Sequence, residues 1–362
     1  MPLHGRRDGS ATESKQRRKL IRYTIFKDHL TGSFNERLEQ VGSAMSRFLD
    51  SERAEGRLPH YAKVFLSDSA NQEEQLRSSR LLLDDLKGAD VTVIQQPCVD
   101  GAKLGILLKT SDEPKEFFLS PLRLTDAEAT HQSSYVQTVM LFDKYAEELR
   151  QRGLSMSRHL VRTWIYVRDI DANYAGVVRA RNDIFRQHGL TVETHFVAST
   201  GIGGRTGDRN VLVAMDFMTC PAIRDEQITY LEALDHLNPT HEYGVAFERG
   251  TRLSLDNGTR QLLISGTASI DSRGEVINIG DVRKQTARLM ENIGALLNNG
   301  EATMDDIRYF IVYLRDMADK ADVEQILESR FPQVPRILTL AEVCRPKWLV
   351  EMECVAVTRS RR

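Results

Sequence analysis

Residues 349–357 alternate. Val350, Met352, Cys354 and Ala356 fall on one face of a strand, while Glu351 and Glu353 fall on the other beside Leu349, Val355 and Val357. A carboxylate among apolar residues on a strand face is costly to bury unless an ionic or hydrogen-bonding group meets it. Arg336, upstream on what reads as the preceding strand, is the natural partner. A guanidinium is a planar fork suited to gripping a carboxylate, and a carboxyl group in a partly dry cleft gains proton affinity. The pair Arg336 and Glu351 is therefore the first candidate for chemistry.

The same apolar pattern recurs. Residues 60–68, 159–169 and 307–316 are apolar runs, each ending in an aspartate (Asp68, Asp169, Asp316) and each preceded by a helical stretch, roughly 35–51, 134–151 and 283–298. The last helix is the clearest, with Thr286, Leu289, Met290, Ile293, Leu296 and Leu297 on one stripe. Three copies in one element order predict three tandem α/β units (an α+β fold), each a mixed sheet backed by two helices. The units are expected to pack as a pseudo-trimer with sheets inward and helices outward. Composition places the boundaries: a disordered basic tail over 1–19, units over 20–112 and 113–222, a connector over 223–246 with the turn signal Asn238-Pro-Thr-His241, and a complete unit over 247–362.

The tail carries Arg6, Arg7, Lys15, Arg17, Arg18 and Lys19 without the apolar stretch of a secretory signal. Elsewhere, 41% hydrophobic and 28% charged residues with a net charge of -2 describe an ordinary globular chain, with no nucleic-acid or membrane partner expected. Four isolated cysteines and nine scattered histidines show no metal-ligand spacing, so neither metal nor disulfide is expected, and the reducing cytosol is the expected compartment. No motif for a cofactor stands out. Gly201-Ile-Gly-Gly204 reads as a turn leading into a polar hairpin, His195 as a core or interface histidine, and Cys344 as a small packed residue. Trp164 and Trp348 read as fillers of the seams between units.

The third unit resembles the Rid family, also called YjgF or endoribonuclease L-PSP. The likeness rests on Leu263-Ile-Ser-Gly-Thr-Ala-Ser-Ile270, Gly280-Asp281, Gln285-Thr286, Asn292-Ile293, Val312-Tyr-Leu-Arg-Asp316, Phe331-Pro332, Arg336 and the Glu351 strand. The resemblance implies hydrolysis of reactive enamines and imines to a 2-keto acid and ammonia, in a cleft between units. Arg336 would bind the substrate carboxylate, Glu351 would handle the attacking water, and Ser265, Gly266 and Thr267 would lie at the substrate. Departures are Phe247 where the family has tyrosine, Leu338 for a cysteine and Glu324 for an asparagine. The fainter second unit aligns His195 with the arginine and Ala214 with the glutamate, so a single complete site is expected. Chorismatases, which hydrolyse chorismate, are similar in architecture and in Ser265-Gly-Thr-Ala-Ser269 and Cys344-Arg345 leading to Glu351. That likeness implies Glu351 as proton donor, with Arg336, Arg345 or Arg181 on a carboxylate. The ligand expected either way is a small carboxylate-bearing metabolite, handled by a monomeric pseudo-trimer or a higher assembly of it. A non-catalytic metabolite-binding role is the remaining alternative.

Overall fold

The computed structural model describes residues 20–29 and 31–359, so the basic tail lies outside the described residues. Among the described residues, fourteen strands form three sheets. The first holds β1 (Ile21–Lys27), β2 (Leu58–Leu66), β3 (Asp90–Gln95) and β4 (Leu104–Ser111) in the order β1-β4-β2-β3. The second holds β5 (Phe118–Leu122), β6 (Leu160–Val167), β7 (Ala198–Gly203) and β8 (Val213–Thr219) in the order β5-β8-β6-β7. The third holds β9 (Ile228–Tyr230), β10 (Gly250–Ser254), β11 (Thr259–Thr267), β12 (Ile307–Leu314), β13 (Arg336–Leu340) and β14 (Val350–Arg359) in the order β13-β12-β14-β11-β10-β9. Each sheet is mixed in the same way, with one parallel pair at an edge (β2–β3, β6–β7, β12–β13) and antiparallel partners elsewhere.

Each sheet is backed by two helices of its own unit: Phe34–Ala54 and Ser69–Arg77, Ser134–Gln151 and Ile170–Gln187, Val282–Asn299 and Lys320–Arg330. Caps and stripes fix the long ones. Ser33 and Glu36 form a reciprocal capping box, Ser133 accepts from Val136 N–H, and Asp281 accepts from Lys284 N–H. The stripe expected on the third of these, from Thr286 to Leu297, is the buried face of Val282–Asn299. No helix among the described residues is long and apolar enough to cross a membrane.

Strand registers make the three units superposable residue by residue. Leu66, Val167 and Leu314 close equivalent central strands and pair with Gln95, Gly203 and Leu340 on one side, and with Leu104, Val213 and Val350 on the other. Asp68, Asp169 and Asp316 each follow two residues later. One residue further along the antiparallel partner, Glu351 is equivalent to Ala214 and Gly105. Arg336, opposite Phe310, is equivalent to Ser199, opposite Thr163, and to Val91, opposite Ala62. The arginine position of the second unit is therefore Ser199, and the alignment with His195 is corrected by four residues.

The sheets close into a ring. Isolated bridges join Gln95 to Arg205, Cys98 to Thr339, and both Ile202 to Val343 and Ala198 to Glu248. Each parallel edge strand thus abuts the next unit. This is why β14 is buried on both faces from Val350 to Val357: one face meets its own helices and the other meets its neighbours around the axis. The glycines at 201–204 belong to this packing rather than to a turn. Gly201 lies within β7, where a Cβ would stand 2.9 Å from the Tyr174 ring, and a Cβ on Gly203 would stand 2.7 Å from Glu342 N. The 223–246 stretch also adds β9 to the third sheet.

Candidate active site

At the seam between the second and third units lies a cavity of about 390 Å³, lined among others by Tyr174, Arg181, Ser199, Phe247, Arg249, Gly266, Cys344, Arg345, Trp348 and Glu351. Glu351 reaches it from the second residue of β14, opposite Tyr313. Its carboxyl group fits because β11 carries an irregularity between Ile264 and Thr267 and has a glycine there. A Cβ on Gly266 would stand 2.0 Å from Glu351 Oε1. Glu351 is only 4% exposed. Burial, then the nearby charge of Glu353, push its carboxyl up to about 8, with Arg249 opposing them.

Glu353, two residues on along the same face, has the opposite fate. Burial alone would raise it too, but Arg162 and Lys63, with hydrogen bonds from Thr200 and Trp164, hold it below the usual carboxylate range. Arg162 Nη2 lies 3.0 Å and Trp164 Nε1 2.8 Å from its oxygens. Two carboxyl groups on one strand face thus have proton affinities driven apart, the arrangement that separates an acid from a fixed anion.

Besides the exposed Arg179, three guanidinium groups line the cavity that holds this carboxyl group. Arg181 comes from the helix Ile170–Gln187 and is 1% exposed, and its Nε and Nη2 have no hydrogen-bond partner. Its Cζ lies 5.8 Å from the Phe247 ring centroid, and Arg249 Cζ lies 5.5 Å from the same centroid. Arg249 is steered by Asn238, whose carbonyl oxygen accepts from its Nη2 at 2.9 Å. Arg345 is held by the Gly274 carbonyl at 2.9 Å and stacks 4.8 Å from Trp348. A desolvated arginine with unused donors, an apolar wall and a neutral carboxyl group can take an anionic molecule and give it a proton. Cys344 joins this wall as a thiol, since burial and then Glu351 push it up to about 12, far from the range of a nucleophilic thiolate.

The seam brings together Glu351, Gly266, Phe247, Arg345 and Arg181 of the residues singled out in the sequence, and leaves others out. Arg336 does not meet Glu351. It sits across β12, two strand spacings and three residues away, on the order of 14 Å. Its guanidinium is engaged by Glu328 at 2.8 Å and by the Phe331 carbonyl at 3.2 Å. The rotation that relates the units explains this, because Arg336 belongs to the seam with the first unit. There the glutamate position is Gly105, and its space is taken by Ile337 and Cys98. Ser265 is a clamp rather than a wall: it donates to the Glu248 carbonyl at 2.6 Å and accepts from Ser199 N–H at 2.9 Å. Thr267 donates to the Ser265 carbonyl and lies outside the cavity. His195 stacks on Tyr230 at 4.8 Å, away from the carboxyl group.

Arg249 and Tyr174 are the residues that sequence reasoning passed over. Arg249 had a signal: it stands two residues from Phe247, so an extended segment puts both on one side. Tyr174 had none, since its place depends on the missing side chain of Gly201.

A ring of three α+β units is an architecture shared with a solved chorismatase. That structure matches at a TM-score of 0.66 and 18% identity over 93% of this chain and 98% of the other. The family profile described as Endoribonuclease L-PSP matches residues 255–358. A RutC family protein of Pyrococcus abyssi is 35% identical over 98 residues, which is 26% of this chain and 76% of the relative. The 3-aminoacrylate deaminase RutC of Acinetobacter baylyi is 28% identical over 95 residues, which is 26% of this chain and 75% of the relative. The chain belongs, through its third unit, to the endoribonuclease L-PSP or Rid family.

Proposed function

We propose that this protein is a hydrolase of a small carboxylate-bearing metabolite, with Glu351 supplying the proton. The observation that carries the reading is a carboxyl group kept neutral near pH 7 in a seam walled by Arg181, Arg249 and Arg345. An arginine anchors the substrate carboxylate, and Glu351 protonates the enamine carbon or imine nitrogen. Water then adds to the electrophilic carbon while the Glu351 carboxylate takes up a proton, and collapse releases ammonia and a 2-keto acid. The aminoacrylate deaminase among the relatives of the third unit supports this chemistry.

Hydrolysis of chorismate is the second reading, and a specific observation favours it. The guanidinium groups of Arg181, Arg249 and Arg345 around about 390 Å³ offer more room and charge than a three-carbon imino acid uses. Protonation of the enolpyruvyl methylene by Glu351, water addition and collapse to pyruvate and an alcohol would use the same residues. The test is to incubate the protein with 2-iminopropanoate generated in situ, and separately with chorismate, following each by absorbance and mass spectrometry. Turnover of either that vanishes in Glu351→Gln supports the hydrolase. Binding of both without turnover leaves the metabolite-binding role, and neither binding nor turnover rejects the proposal.

A further inference from the structure

The residue next to the proposed acid on its strand face is secured from the neighbouring unit. Glu353 is 1% exposed and held from the second unit by Arg162, Thr200 and Trp164. Thr200 does more than bind it. Its Oγ1 donates to Glu353, accepts from Arg162 Nη2 at 3.1 Å, and accepts from Gly266 N–H at 3.0 Å. Arg162 Nη1 in turn donates to the Ile264 carbonyl at 2.9 Å. One cluster from the second unit therefore grips both ends of the irregularity in β11 on which the Glu351 carboxyl group rests, and also the anion beside that group on β14. A pinned anion recurs at the seam of the first and second units, where Asp216 stands at the Glu353 position and accepts from Thr92, Arg123 and Tyr166. What is particular to the present seam is that Thr200 also holds Gly266 N–H, beneath the Glu351 carboxyl group.

We propose that Glu353, pinned across the seam by Arg162 and Thr200, is a positioning residue for Glu351: its fixed negative charge two residues along the same strand face adds to burial in holding the Glu351 proton, and the Thr200–Gly266 contact fixes where the carboxyl group sits. The inference rests on the acid role of Glu351 proposed above. The charged or titratable groups at Glu351 and around its cavity are Glu353 from β14, Tyr313 from β12, Arg249 from the segment before β10, Tyr174, Arg179 and Arg181 from the helix Ile170–Gln187, and Cys344 and Arg345 from the loop before β14. Among these Glu353 supplies the carboxylate, and Arg249 opposes it.

The test reads Glu351 directly. The protonated-carboxyl infrared band of the intact chain, taken as the difference from the same background carrying Glu351→Gln, is titrated in wild type, Glu353→Gln, Thr200→Val and Thr200→Ser. No substrate is required, so a wrong substrate or a failed hydrolase reading leaves the outcome interpretable. Glu353→Gln removes the like charge and is expected to move the Glu351 midpoint down by about one pH unit or more. Because Glu353→Gln also strips Arg162 of its counter-ion, Thr200→Val serves as the milder arm. It keeps both charges, so its midpoint should stay within about half a unit of wild type while the band shifts or broadens as the carboxyl group loses its single seating. Thr200→Ser should restore the wild-type band. With an active substrate in hand, Thr200→Val should lower kcat about tenfold with KM little changed. A Glu353→Gln midpoint equal to wild type would overturn the charge role, and a Thr200→Val band and kcat equal to wild type would overturn the seating role. If Glu353→Gln does not fold, the paired variant Glu353→Gln with Arg162→Gln, which removes the ion pair whole, carries the charge arm with the same expected fall in midpoint, and the Thr200 pair decides the seating role.

Discussion

Glu351 and Arg181 are two buried groups that a protein built only for stability would avoid. Glu351 titrates near 8 in the folded chain against 4.5 as its ordinary value. Its folded-state proton is thus a stabilising advantage held in full below about 4.5 and lost as pH rises through about 8. Glu351→Gln removes this dependence, so its melting temperature is expected to exceed that of wild type by a margin growing from pH 5 to pH 8, measured by calorimetry. Activity has the same limb: kcat/KM should hold below pH 8 and fall above it, and a limb at pH 5 would reject Glu351 as the acid. Arg181 gives a test of opposite sign. Replacing it with methionine fills the space and removes a buried charge with unused donors, so stability should be unchanged or higher. A carboxylate ligand should nevertheless bind more weakly by roughly 2–5 kcal/mol. Equal loss of stability and affinity in calorimetric titration would make Arg181 a structural residue.

At the scale of the element, the informative one is β11. Its irregularity at Ser265 and Gly266 turns the Ser265 hydroxyl into the seam and opens the space for Glu351 Oε1. Gly266→Ala should fold, because the atom it strikes is the tip of a side chain, yet displace the carboxyl group and lower turnover by about 10²-fold or more. Activity near wild type would show that Glu351 can act from another rotamer. Sequence alternation located β14 and placed both glutamates on one face, as found. It could not show that β11 would break step opposite them, since a slip of this kind is decided by what packs on the other side.

At the scale of the molecule, three sheets in a ring give three seams, and among the described residues only one carries a carboxyl group at the Glu351 position. Gly105 and Ala214 stand at the other two glutamate positions. The seam that holds Arg336 therefore lacks its acid, and the seam that holds Glu351 has Ser199 in place of the arginine. Arg336→Ala should change kcat/KM less than about twofold and cost no more than about 1 kcal/mol, since its partner Glu328 is exposed. A loss of 10²-fold in that variant would return Arg336 to the reaction.

Sequence alone determined the repeat, the helices and strands of each unit, and Glu351 as the residue to watch, because these follow from local periodicity and from the cost of burying a carboxylate. It also pointed to Phe247, Arg345 and Arg181. What it could not determine was which of these would meet. Arg336 and Glu351 lie fifteen residues apart and belong to different seams, while Arg181 and Arg249, far from Glu351 in sequence, face it. The physical reason is rotation. When a unit closes into a ring, its parallel edge strand and its carboxyl-bearing strand turn toward different neighbours, so partners are chosen by the packing of three sheets about one axis.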